Sequence, residues 1–194
     1  MERRHRIVRG AYALMENGEY EHIQMRDVAE ESGVALATLY RYFASKEHLF
    51  AAVLVEWSGS LENRVERRPL KGNDVAAQLD DLMGRVLTAF ERLPQFFRLM
   101  SVIETTPDEH ARAMFDEFNG RSRSTFAVPL RPLDPDDGQD VLDVISAVLG
   151  AVLRSWAHGS ITMGRGARPD DPRHPRDLLA AARAPDPSPV TPVR

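Results

Sequence analysis

The chain has 194 residues, enough for one large or two small domains and for a proper buried core. It contains no cysteine, which excludes disulfides and thiol chemistry, and it has no apolar run able to cross a bilayer and no apolar signal core behind its basic start, so a soluble cytoplasmic protein without membrane contact is expected. A net charge of −4 argues against a general nucleic-acid coating protein but allows a local basic surface, for which Arg3, Arg6 and Arg9 are candidates beside the bland alternative of a solvated helix face.

From about Arg4 to Asn17, the residues Ile7, Ala11 and Leu14 make one apolar stripe, and Gly18 follows as a stop. Met25, Val28 and Ala29 then mark one face of a short helix over Met25 to Ser32, with Gly33 placed as a left-handed C-cap. After Val34 the pattern restarts at once with Leu36, Leu39, Tyr40 and Phe43, so a second helix must leave the turn at a steep angle. Small Ala29 permits close approach, and Val28, Val34 and Leu39 can fill the crotch. This is a helix-turn-helix pattern. Ser45 is a good N-cap for a further helix through Leu49, Val53 and Trp57 toward Val65, which would bridge the first domain to the next.

Arg67 to Asn73 holds a Pro and a Gly and predicts a loop. Beyond it, Leu79, Leu82, Met83, Val86, Leu87 and Phe90 form the stripe of a long helix, and Pro94 opens another carrying Phe96, Phe97, Leu99, Met100 and Ile103. Thr106, Pro107 and Glu109 predict a helix start with a capping box and a Pro at the first position, the helix presenting Ala111, Met114, Phe115 and Phe118 and fading before Pro129. Pro129 to Gly138 reads as a loop, with Asp136 or Asp137 as the next cap. Its acids lack the ligand alternation and distal Glu of a calcium loop. Val141, Val144, Ile145, Val148, Leu149, Val152, Leu153 and Trp156 form a stripe wide enough for more than one partner, which predicts a helix central to the second domain. Seven of the thirteen prolines lie between Pro169 and Pro192, so a disordered tail is expected, with only Asp177 to Arg183 able to form a short helix.

The segment from Gln24 to Lys46, with RDVAEESGVA, TLYRYF and SKEHLF in succession, resembles the DNA-binding segment of TetR-family transcriptional regulators. Gln24 stands where that family usually has Thr, and Tyr42 where it often has His. The resemblance implies an all-α protein of about nine helices: a three-helix DNA-binding domain in residues 1–50, a helical regulatory and dimerisation domain in 51–164, and the Pro-rich tail in 165–194. It also implies that Ala35, Leu36, Ala37 and Thr38 meet base edges in a major groove, where so small and apolar a set would read thymine methyls and shape. Tyr40, Arg41, Tyr42 and Lys46 would contact phosphates, and Arg26 is a further DNA-binding candidate. For Tyr40 and Tyr42 the rival reading is a core aromatic, whereas Leu39 and Phe43 read as core.

The family resemblance further implies a homodimer on a pseudo-palindromic operator of double-stranded DNA, formed partly through residues 141–156, and a pocket for a small hydrophobic effector whose binding releases the DNA. Met83, Phe90, Phe97, Met100, Met114, Phe118 and Trp156 are the candidate lining residues, each with ordinary core packing as the alternative. The wording VALATLYRYFASKEHL is most similar to regulators of sterol and lipid breakdown, which would suggest a steroid- or acyl-derived effector. His5, His22, His48, His110, His158 and His174 are scattered without metal spacing, and no nucleophile motif occurs, so no catalytic residue, metal or cofactor is expected. Three readings stand: a ligand-responsive repressor, a DNA-binding regulator controlled by a protein partner, and, last, a helical enzyme.

Overall fold

The computed structural model describes residues 2–157. Among these are eight α-helices and two 3-10 turns with no strand, so the all-α class is borne out. The helix expected over Asp177 to Arg183 and the proline-rich tail lie outside the described residues.

The helices are α1 (Glu2–Asn17), α2 (Met25–Glu31), α3 (Leu36–Tyr42), α4 (Lys46–Arg67), α5 (Val75–Arg92), α6 (Gln95–Glu104), α7 (Glu109–Ala127) and α8 (Pro135–Ala157). Ile7, Val8, Ala11 and Met15 of α1 close over Val28 and Ala29 of α2 and Leu39 and Phe43 around α3, making the core of a three-helix head. Gly10 lets α1 approach the end of α2 so nearly that a Cβ there would lie 2.4 Å from Ser32 Oγ. Asp27 Oδ2 accepts the Gln24 amide N–H at 2.8 Å, which holds the start of α2 from within the helix.

The turn after α2 is set by local geometry. Gly33 has φ +61°, a left-handed conformation that favours glycine, and the bonds Val34 N–H to Ala29 O (2.9 Å) and Gly33 N–H to Glu30 O (3.0 Å) complete a Schellman cap. Ser45 caps α4 as expected, its Oγ accepting the His48 amide N–H at 2.9 Å. From there α4 runs through the molecule and lies along α7 for much of its length.

Three local expectations are corrected. The helix expected from Thr106 begins at Glu109, because Asp108 supplies the better cap, its Oδ1 accepting the Ala111 amide at 2.9 Å, while Thr106 Oγ1 takes the Asp108 amide at 3.3 Å. Pro107 therefore stays outside the helix. The loop after Pro129 is shorter than expected, because Asp134 Oδ1 accepts the Asp136 amide and α8 begins at Pro135, leaving Asp136 and Asp137 in its first turn. Finally, α8 is not the central helix. Among its described side chains only Leu142 and Leu153 are buried and Val144 is 63 % exposed, because its wide stripe offers one strip to α6 and α7 and leaves another open. The centre is the α4–α7 pair, with Trp57 against Phe90 (4.9 Å) and stacked on Phe96 (5.2 Å).

Candidate nucleic-acid interface and ligand cavity

The face of α3 turned away from the head core is open. Ala35, Leu36, Ala37, Tyr40, Arg41 and Tyr42 are exposed and Thr38 is half-buried, while Leu39 and Phe43 are sealed in the core. Two large apolar rings and a leucine left in water are unusual on a small head and suit a surface that meets a partner. Tyr40 and Tyr42 are thus not core aromatics. Arg26 is exposed at the start of α2, its Nε lying 3.5 Å from Asp27 Oδ1.

Lys46 is seated differently from the free phosphate contact expected of it. Its ammonium donates to the carbonyl oxygens of Tyr20 and Glu21 and lies over the Tyr20 ring at 4.0 Å. An ammonium has three donors, so one remains for a phosphate. Burial lowers the Lys46 pKa, against the opposing pull of Glu47, Glu21 and Asp27. Tyr20 in turn donates its hydroxyl to Glu47 Oε1 at 3.2 Å, and burial followed by Glu47 pushes its phenol well above the usual value. The short 3-10 turn Tyr20–His22 is thereby tied to the start of α4, a link that no sequence motif marked.

A second junction joins the head to α7. The His48 ring packs edge-on against Phe43 (5.2 Å) and stacks on His110 (5.0 Å), and its Nδ1 accepts the Ala44 amide at 3.3 Å. Burial lowers the His48 pKa, with His110 and Arg4 adding to the shift and Asp108 opposing it. Arg4 lies over the Phe43 ring and donates to Met114 Sδ at 3.9 Å. A third junction runs from α6 to α1 and the turn after it: Phe96 meets Tyr12 and Gln95 Nε2 donates to Met15 O on α1, and Arg98 pairs with Glu19 of the turn at 3.1 Å.

Between α4, α5, α6, α7 and α8 lies a cavity of about 460 Å³. Of the residues expected to line it, Phe90, Phe97, Met100 and Phe118 do so, and Met83, Met114 and Trp156 do not. Met83 lies a turn before Val86, the first α5 residue in the wall, Met114 faces Arg4 at the head, and Trp156 is two residues past Arg154, the last α8 residue in the wall. Trp57, Phe115, Phe126, Leu149 and Leu153 supply apolar wall that sequence reasoning missed, and Glu62, Glu104, Arg123 and Arg154 give the lining a charged part. Arg123 is already engaged by Asp143 at 2.8 Å.

An exposed helix set beyond a tight left-handed turn, carried on a compact three-helix head and backed by a hollow helical body, defines a helix-turn-helix DNA-binding regulator. Residues 7–53 match the profile of the bacterial regulatory proteins, tetR family. The chain is 33% identical over 156 residues to the HTH-type transcriptional repressor KstR of Mycolicibacterium smegmatis, covering 80% of this chain and 76% of that protein. It therefore belongs to the tetR family of bacterial regulatory proteins. Its fold is also that of a TetR transcriptional regulator from Rhodococcus sp. RHA1 (TM-score 0.66, 22% identity, 84% of this chain and 88% of that one). It resembles as well the regulator FadR from Bacillus subtilis in complex with stearoyl-CoA (TM-score 0.63, 15% identity, 80% of this chain and 87% of that one). These three similar proteins are transcriptional regulators rather than enzymes, and among the described residues no helix is long and apolar enough to cross a membrane.

Proposed function

We propose that this chain is a cytoplasmic repressor that occupies a pseudo-palindromic operator as a homodimer and leaves it when a small hydrophobic molecule, steroid- or acyl-derived, enters the cavity. In this reading residues 1–50 form the DNA-reading head and residues 51–164 the sensing and dimerising body. Ala35, Leu36, Ala37 and Thr38 approach base edges, while Tyr40, Arg41, Tyr42, Arg26 and the remaining donor of Lys46 approach phosphates. The open strip of α8, around Val144 and Val148, is the surface a second copy would cover.

The observation that carries the reading is the position of the cavity. Phe90 and Trp57 are in its wall, Trp57 stacks on Phe96, and Phe96 touches Tyr12 of the head, so a ligand that displaces the wall acts on residues already in contact with α1. A cavity of about 460 Å³ with a mainly apolar wall lies within the size range of small-molecule sites, and the similar FadR fold is one solved with stearoyl-CoA. The test is fluorescence anisotropy on a labelled duplex from upstream of the gene, titrated with stearoyl-CoA and with a neutral steroid. Release by either at micromolar concentration supports the proposal. Binding of the duplex that no hydrophobic compound reverses favours control by a protein partner instead, and no binding to that or any genomic duplex refutes the DNA assignment.

A further inference from the structure

We propose that Glu62 reads the polar end of the ligand: its carboxylate accepts a hydrogen bond from a hydroxyl or ammonium group on a molecule whose remaining surface is hydrocarbon. This rests on the reading of the cavity as a ligand site, and it names what the ligand must carry.

Glu62 lies on α4 one turn beyond Ser58, and both residues line the cavity. Its Oε1 is fully buried and has no hydrogen-bond partner. Among the described residues its Oε2 comes no nearer to a cation than 3.9 Å, from Arg121 Nη1, which is beyond hydrogen-bond length. Arg121 is better occupied by Glu117, one helical turn away at 2.9 Å. An ionised carboxylate can only accept, and an oxygen shut away from water without a donor is penalised until one arrives. Glu62, a residue of the chamber wall, therefore holds a carboxylate oxygen with no hydrogen-bond donor among the described residues.

The rest of the lining makes this acceptor selective. Phe90, Phe97, Phe118 and Leu153 offer a long molecule nothing polar, so the part of its body against them gains by burial alone. Arg123 gives one of its N–H groups to Asp143, whose negative charge, shared with Gln139, offsets the guanidinium's pull on an anionic head. Glu104 adds a second negative charge to the lining. Arg154 is the lining cation for which no carboxylate partner occurs among the described residues, and it makes an acid the informative competitor. A hydrogen bond to a charged acceptor is stronger than one between neutral groups, and the analogue lacking the donor leaves the carboxylate stranded.

The experiment uses the full chain and four ten-carbon probes that differ only at the head: 1-decanol, decylammonium, decanoate and decyl methyl ether. Binding is read by calorimetry and by quenching of tryptophan fluorescence. For the unaltered protein, decanol and decylammonium are expected to bind about 10- to 100-fold more tightly than the ether and decanoate, the span of one hydrogen bond to a charged group. Glu62→Gln should erase the advantage of the ammonium, and Glu62→Leu should bring decanol and the ether to equal affinity. The inference is overturned if the ether or decanoate matches decanol in the unaltered protein, or if the ranking survives in Glu62→Leu. Equal binding of all four probes overturns the role of Glu62 while the cavity reading stands, whereas no binding of any probe overturns both. If Glu62→Leu fails to fold, the ranking in the unaltered protein and in Glu62→Gln still decides.

Discussion

Placing alanine at Gly10 tests how α1 and α2 are held together in the DNA-reading head. The new Cβ would sit 2.4 Å from Ser32 Oγ and 3.4 Å from Ser32 Cβ and N. The first distance is about an ångström inside ordinary contact, and Ser32 is only 4 % exposed, so its hydroxyl has little room to retreat. Overpacking of this kind costs about 1–3 kcal/mol, against a gain of about 0.5–1 kcal/mol for replacing glycine inside a helix. Gly10→Ala is therefore expected to lose up to about 2.5 kcal/mol. Ser32 Oγ is buried without a hydrogen-bond partner, so Ser32→Ala removes an unsatisfied group and should be neutral or stabilising by up to about 1 kcal/mol. In the double variant the 2.4 Å contact disappears, the nearest remaining contacts are at 3.4 Å, and the helix gain returns. The cycle should show a coupling of about 1–3 kcal/mol, with the double variant more stable than Gly10→Ala by more than the effect of Ser32→Ala alone. Urea unfolding followed by circular dichroism at one fixed protein concentration measures it. Additivity within about 0.5 kcal/mol, or a Gly10→Ala protein more stable than the parent, would refute the reasoning.

Stability should fall as pH drops through His48's range. Its folded pKa lies below the usual 6.5, so between the two values the unfolded chain binds more protons and acid favours unfolding; His48→Gln should flatten the melting temperature between pH 8 and 5. Asp108→Ala removes the cap of α7 and should cost about 0.5–2 kcal/mol at neutral pH. Because the Ser45 hydroxyl and the Ala111 amide hold the Asp108 pKa below 3.8, that difference should shrink as pH falls through and below this value, which urea unfolding at pH 7 and 3 would reveal. On DNA, Arg41→Ala should weaken all duplexes alike and reduce the salt slope by about one unit, whereas Thr38→Ala should alter preference among operator sequences by about 1–3 kcal/mol at one base pair. An unchanged slope for the first, or a uniform loss for the second, would reverse their assignments.

Where short-range geometry decides, the sequence was a sufficient guide. Gly33 is the residue that its backbone angle favours, Ser45 accepts the amide it was expected to accept, and Leu39 and Phe43 are sealed while their neighbours are open. Thr106 and Asp108 were both competent caps two residues apart, and only the path of the chain into α7 selects between them. The stripe of α8 announced apolar surface without saying how much of it this chain would cover. The cavity was the least legible part. Phe90, Phe97, Met100 and Phe118 were found by bulk, but a space between helices has no periodicity of its own, so Trp57, Leu149 and the polar lining gave no signal distinct from core or surface. Lys46 likewise has a plain reading as a surface cation, and its seat on Tyr20 depends on two segments that meet only when folded.

The ten residues of α6 serve two masters. Phe97 and Met100 wall the chamber, while Phe96, Gln95 and Arg98, interleaved among them, grip the back of α1 and the turn after it. If the chamber takes an inducer as proposed, randomising that helix to change the inducer would disturb the hold on the promoter at the same time, and a screen for changed response would collect leaky variants alongside retuned ones. Randomising Leu149 and Leu153, which share the chamber from α8, offers a route to new inducers that leaves that grip alone.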